Sequence, residues 1–196
     1  AMNESDVESK IMLERKLADL HDKQREDPAA AAEAWVRIAG LSPGDDDAVN
    51  TAVELYERAG QLEAAAGVIA DSVGGIDGDT KGTLYEKLGE LRGKLGDHVG
   101  AAEAFTEAAQ ILKKDEDWDL AAKAYATAGQ FGEAADSIER RAQLYEGKEK
   151  AALLAQAADM TLQAGNADTA LAQLETASEL DPNNDQARKA LLPLGE

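Results

Sequence analysis

Four glycines constrain this chain more than any other feature. Gly60, Gly96, Gly129 and Gly165 each follow an amphipathic stretch, and they stand 36, 33 and 36 residues apart. A glycine just beyond a helix adopts the left-handed conformation that ends it without a Cβ clash. Four such corners at nearly one period predict helix-turn-helix units laid end to end, each packing on its neighbours. A fold of that kind has no single central core. The 196 residues are therefore read as repeats rather than as one or two globular domains.

The stretch from Gly82 to Lys114, GTLYEKLGELRGKLGDHVGAAEAFTEAAQILKK, shows one unit most fully. Tyr85, then Leu88 and Gly89, then Ala101, Phe105 and Ala108 supply an aromatic, an apolar-small pair and a small-large-small series. Small residues let two helix backbones come close, and the aromatics fill the space beside the contact. Gly96 ends the first helix, and Asp97 is placed to cap the second by accepting from its unpaired N–H groups. This spacing resembles the tetratricopeptide repeat, W-x2-L-G-x2-Y…A-x3-F…P. Arg92 departs from it, standing where the pattern has Tyr.

The register carries in both directions. Val7, Ile11, Leu13, Leu17 and Leu20 recur at helical spacing, and Asp27-Pro28 opens the next helix with a cap and a first-turn proline. Ala31, Trp35 and Pro43 then keep the A-x3-F…P spacing, while Asp19 and Asp22 stand where the pattern has Gly and Tyr. Ala52, Tyr56, Ala65 and Ile69 mark a second unit, preceded by Asp45 to Asp47, which suit the positive end of a helix dipole. Trp118, Ala122, Tyr125, Ala134 and Ile138 mark a fourth, and Leu154, Ala158, Ala170, Leu174, Ala177 and Pro182 a fifth. The units are 12–45, 46–81, 82–114, 115–150 and 151–184, with a final helix over 185–196. The resemblance implies an all-α, right-handed α-solenoid of about five tetratricopeptide-like repeats plus a C-terminal capping helix, a single domain over 1–196. The glycine-dense stretch Gly74 to Gly82 reads as a hinge or loosely held connector.

Composition narrows the function. Lys and Arg number 20 against 39 Asp and Glu, a net charge of −19, which makes nucleic acid and anionic membrane poor partners. With no cysteine, a disulfide framework or thiolate metal site is excluded. No apolar stretch is long enough to span a bilayer, and a cytoplasmic location is expected. Ala1 before Met2 and the end at LLPLGE suggest an excised piece of a longer protein. His21 and His98 lie in no metal-ligand spacing, no serine sits in G-x-S-x-G, and the glycine loop matches neither a P-loop nor a calcium loop. Six of the eight aromatics fall on pattern positions, as packing residues do. No enzyme activity and no cofactor are expected.

The resemblance also implies that the first helix of each repeat lines a concave groove. Its solvent-facing side chains would be Asn50, Glu54, Glu57 and Arg58, then Glu86, Glu90 and Lys94, then Asp119 and Lys123, then Asp159 and Gln163. Family members that grip acidic chaperone tails do so with Lys, Asn and Arg at such positions. Here Glu54, Glu86 and Glu90 stand among them, so that carboxylate clamp is absent and a basic protein or peptide segment is the expected partner. The expectation is a noncatalytic interaction scaffold. The alternatives are a spacer or docking segment of a larger enzyme or of a secretion or motility assembly, and a sensor working through the glycine hinge.

Overall fold

The computed structural model describes residues 4–194. Among them eleven α-helices follow one another without a strand. They are α1 (Glu4–Asp19), α2 (Pro28–Leu41), α3 (Asp46–Arg58), α4 (Leu62–Ser72), α5 (Gly78–Lys94) and α6 (His98–Leu112). Then come α7 (Asp115–Thr127), α8 (Phe131–Ala142), α9 (Gly147–Gln163), α10 (Ala167–Leu180) and α11 (Asp185–Leu194). A π-helical turn, Leu20–Gln24, extends α1, and a 3-10 turn, Val73–Gly75, follows α4.

Local chemistry sets these boundaries. Gly60, Gly96, Gly129 and Gly165 have φ of +72°, +81°, +78° and +83°, so each takes the left-handed corner conformation expected of it. The corner before α2 has no glycine, and Glu26 adopts φ +52° in its place. At the starts, Asp27, Asp45 and Asp97 each accept from a backbone N–H three residues on, at 3.0, 3.0 and 2.9 Å. A cap of this type stabilises a helix by about 1 kcal/mol. The result is an all-α chain of helical hairpins.

By packing, the chain divides into two compact units, Ala1–Gly96 and Asp97–Glu196. The division falls at the corner of the repeat 82–114, so that α5 belongs to the first unit and α6 to the second. In the first unit each of α1 to α5 packs on the next. Alanines carry the close approaches, with Ala31, Ala52 and Ala65 fully buried, and Ile38, Ile69 and Leu84 fill between them. In the second unit α6 to α11 pack in the same serial way. Ala101 and Ala134, the small residues after their corners, are buried as the register requires. Ala151, Ala155, Ala158, Ala170, Leu174 and Ala177 form the last core cluster, and Ala187 of α11 closes it.

The glycine-dense stretch differs from its expected role. Gly78–Gly82 is the first part of α5 rather than a connector, and Val73 and Ile76 are buried. A Cβ on Gly44 would stand 3.0 Å from the carbonyl oxygen of Gly75, so the loop lies directly against the α2–α3 turn. Glycine serves close approach here, and an apolar anchor at each end holds the loop to the first unit.

Candidate functional site

The first helices of the first unit carry most of the expected partner-binding residues. On α3, Asn50 and Glu54 are exposed one turn apart. The resemblance places Glu57 among the solvent-facing side chains, and the structure buries it further than that. It is half-buried, with its carboxylate 2.8 Å from the Lys87 ammonium and 3.8 Å from that of Lys94. Lys87 also lies 3.8 Å from Glu90. The acids of α3 and α5 therefore alternate with lysines. Glu86 is half-buried, whereas Glu90 and Lys94 are exposed. Next to them, Arg58 donates to Asp22 at 3.0 Å, joining α3 to the π-helical turn after α1.

In the second unit, Asp119 and Lys123 pair with each other at 2.5 Å along α7. Asp119 also lies 2.6 Å from Arg141 of α8. Asp115 completes the cluster, lying 3.2 Å from Arg141 and accepting from the Tyr145 hydroxyl at 2.6 Å. The Tyr145 hydroxyl, helped by Arg141, holds the Asp115 carboxyl below its usual range. The same hydrogen bond, with burial next, raises the Tyr145 phenol above its ordinary value. Asp119 is thus engaged in joining α7 to α8. On α9, Gln163 donates to Asp159 at 3.4 Å. Across the second helices, Gln173 of α10 donates to Glu139 of α8 at 2.5 Å.

Sequence reasoning missed Lys87, Arg141, Tyr145 and the Asp22–Arg58 pair as partners. One signal was available. Asp22 and Arg58 are 36 residues apart, and Glu139 and Gln173 are 34 apart, close to one repeat. Complementary polar residues one period apart meet when repeats stack.

A cavity of about 230 Å³ also opens in the first unit, lined by Ala18, Asp19, Asp22, Trp35, Thr51, Glu54, Leu55 and Arg58. Arg15 lies 5.8 Å from the Trp35 ring centroid, within cation–π range. Among the described residues no group of three or more His, Asp or Glu is placed to hold a metal ion. No helix among them is long and apolar enough to cross a membrane.

No family model and no curated protein matches the chain. Several solved structures resemble it. MamA from Desulfovibrio magneticus RS-1 is 15% identical, with 94% of this chain and 99% of that one covered, at a TM-score of 0.47. YrrB, described as a TPR protein with an unusual peptide-binding site, is 18% identical over 91% of this chain and 90% of its own, at 0.48. The kinesin light chain TPR-like repeats of Podosopora anserina are 16% identical over 94% and 99%, at 0.46. At these values the likeness says nothing about what this chain binds.

Proposed function

We propose that the chain is a noncatalytic protein-interaction scaffold that holds a basic, extended or helical segment of a partner against its first helices. The contact residues in this reading are Asn50, Glu54, Glu57, Glu86, Glu90 and Lys94 of the first unit and Asp119 and Lys123 of the second. The cytoplasmic setting expected from the sequence belongs to the same reading. The observation that carries it is the exposure of Glu54 and Glu90 on consecutive first helices of a chain with net charge −19. Acids of one sign raise the local concentration of a basic segment and speed its encounter.

Reversing Glu54 and Glu90 to Lys tests this, because both side chains face solvent and helicity should survive. Binding of an acetylated, amidated Ala-Ala-Arg repeat peptide should fall steeply with added salt in the parent and be lost in the double variant. Full affinity in a folded double variant would overturn the reading. A spacer is the second reading, favoured by the pairing of Glu57 with Lys87 and of Asp22 with Arg58. These contacts join neighbouring first helices and leave those charges less available to a partner.

A further inference from the structure

We infer that the cavity between α1, α2 and α3 is an arginine-binding pocket, with Trp35, Glu54 and Asp22 as its recognition groups. It deepens the interaction reading above and rests on it for the origin of the arginine, a partner segment.

The cavity has a cause in the sequence. Four residues before the corners Gly60, Gly96, Gly129 and Gly165 stand Tyr56, Arg92, Tyr125 and Thr161, each buried or half-buried and two of them aromatic. The equivalent residue before the first corner, Glu26, is Asp22. Where the repeat pattern has a tyrosine ring, a short carboxylate stands here. The space beside half-buried Trp35 stays open, about 230 Å³. That is room for one long flat side chain, walled on the apolar side by Trp35, Leu55 and Ala18.

The charges lining the cavity choose the occupant. Of the three lining carboxylates, Lys23 holds Asp19 at 2.8 Å and Arg58 holds Asp22 at 3.0 Å, so Glu54 is the one an incoming cation meets first. Glu54 is exposed, and among the described residues no ion pair engages it. Both halves of the recognition are already used by the chain's own guanidinium groups. Arg58 binds Asp22 at 3.0 Å, and Arg15 lies 5.8 Å from the centre of the Trp35 ring. A planar guanidinium is suited to both a carboxylate and an indole face, and it is less strongly hydrated than an ammonium. Arg58 has an exposed side chain, so its hold on Asp22 is the kind of pair that exchanges readily with a competitor. Arg58 thus acts as a tethered stand-in that an incoming arginine displaces.

The test uses the full chain carrying Trp118→Phe, so that Trp35 alone reports. Its emission is titrated with N-acetyl-arginine amide, with N-acetyl-alanine amide as the uncharged control. A saturable change with the arginine compound only is expected. Glu54→Gln should weaken it by about 10-fold, the scale of losing one charge-assisted hydrogen bond. Arg58→Ala should tighten it, whereas a purely structural Arg58 would loosen the pocket and weaken binding. Asp22→Tyr refills the space, so it should abolish the response while raising the melting temperature. Equal responses to the two amides, or an unchanged response in Asp22→Tyr, would overturn the pocket. The Ala-Ala-Arg repeat peptide then separates the two readings. If it binds Asp22→Tyr at full strength, the pocket inference fails and the scaffold reading stands. If the arginine amide saturates Trp35 but the chain captures no basic peptide, the pocket stands and the scaffold reading fails.

Discussion

The two units use the same hairpin but place their polar contacts differently. In the first, ion pairs join successive first helices, Asp22 to Arg58 and Glu57 to Lys87. In the second, Arg141 and Tyr145, from α8 and the turn after it, are held by Asp115 and Asp119 of the first helix of the same repeat. Asp115 and Asp119 of the second unit therefore lock a hairpin, as Glu14 does in the first by pairing with Arg37 of α2 at 2.9 Å, whereas Asp22 and Glu57 bridge neighbouring repeats. A shared charge sign across repeats thus does not imply a shared role. The role follows from which cation comes within reach.

The sharpest way to break the comparison is at the loop that ties down the first unit. Ile76 is only 4% exposed and lies in a glycine-rich segment where composition suggests a hinge. Replacing it by Ala should destabilise the first unit by about 2–4 kcal/mol, the usual cost of truncating a buried isoleucine. Limited proteolysis would then show new cleavage near Gly74 in the variant only. Cleavage there in the parent, as fast as at Gly129 or Gly165, would mean that the anchor does not hold.

Overpacking comes next. Ala65 and Ala134 hold the same position, five residues after Gly60 and Gly129, and both are fully buried. Leucine at either should cost about 1–3 kcal/mol. Denaturant melts read the loss, and amide exchange should quicken first in the unit that carries the substitution. A melting curve unchanged in both variants would contradict the register.

The equivalence of Ala65 and Ala134 could be read from sequence because a helix crossing demands a small residue at a fixed distance from its corner. The corners and caps were legible for a related reason, since positive φ and N-cap geometry are local properties of Gly96 or Asp97 and their nearest neighbours. The glycine loop was misread because composition does not show that Gly44 and Gly75 meet, nor that Ile76 points inward. Glu57 differs for another cause. The repeat pattern gives the helix that lines a groove but not whether a lysine one repeat later reaches an acid on it. The cavity beside Trp35 was half visible, since Asp22 stood out as a departure from the pattern while the space it opened did not.

A smaller effect separates the two kinds of ion pair. Arg141 has two carboxylate partners and a side chain only 25% exposed, so Arg141→Ala should cost about 1–2 kcal/mol. Arg58 has one partner and a side chain that is 59% exposed, so Arg58→Ala should cost about 0–1 kcal/mol. Urea melts of the two variants compare them directly. Equal losses would mean that hairpin-locking and repeat-bridging pairs contribute alike.

The smallest expected effect is a pH dependence peculiar to the second unit. Asp115 titrates below its ordinary value because Tyr145 donates to it and Arg141 lies beside it. Its contribution to stability is therefore fully present above the unfolded carboxyl value of about 4, and is lost as pH falls through the lower folded value. Tyr145 titrates above its ordinary value because its proton is held by Asp115. Its contribution is fully present below the unfolded phenol value of about 10, and is lost as pH rises through the higher folded value. The α7–α8 hairpin should thus weaken at both ends of the pH range through one hydrogen bond. Tyr145→Phe removes the alkaline limb and lets the Asp115 value rise, while Arg141 still keeps it below that of a free carboxylate. Side-chain carboxyl NMR titration of Asp115, together with melting temperatures across pH in parent and variant, reads both limbs. Identical pH profiles for the two proteins would show that the Tyr145 hydroxyl does not hold Asp115 in solution.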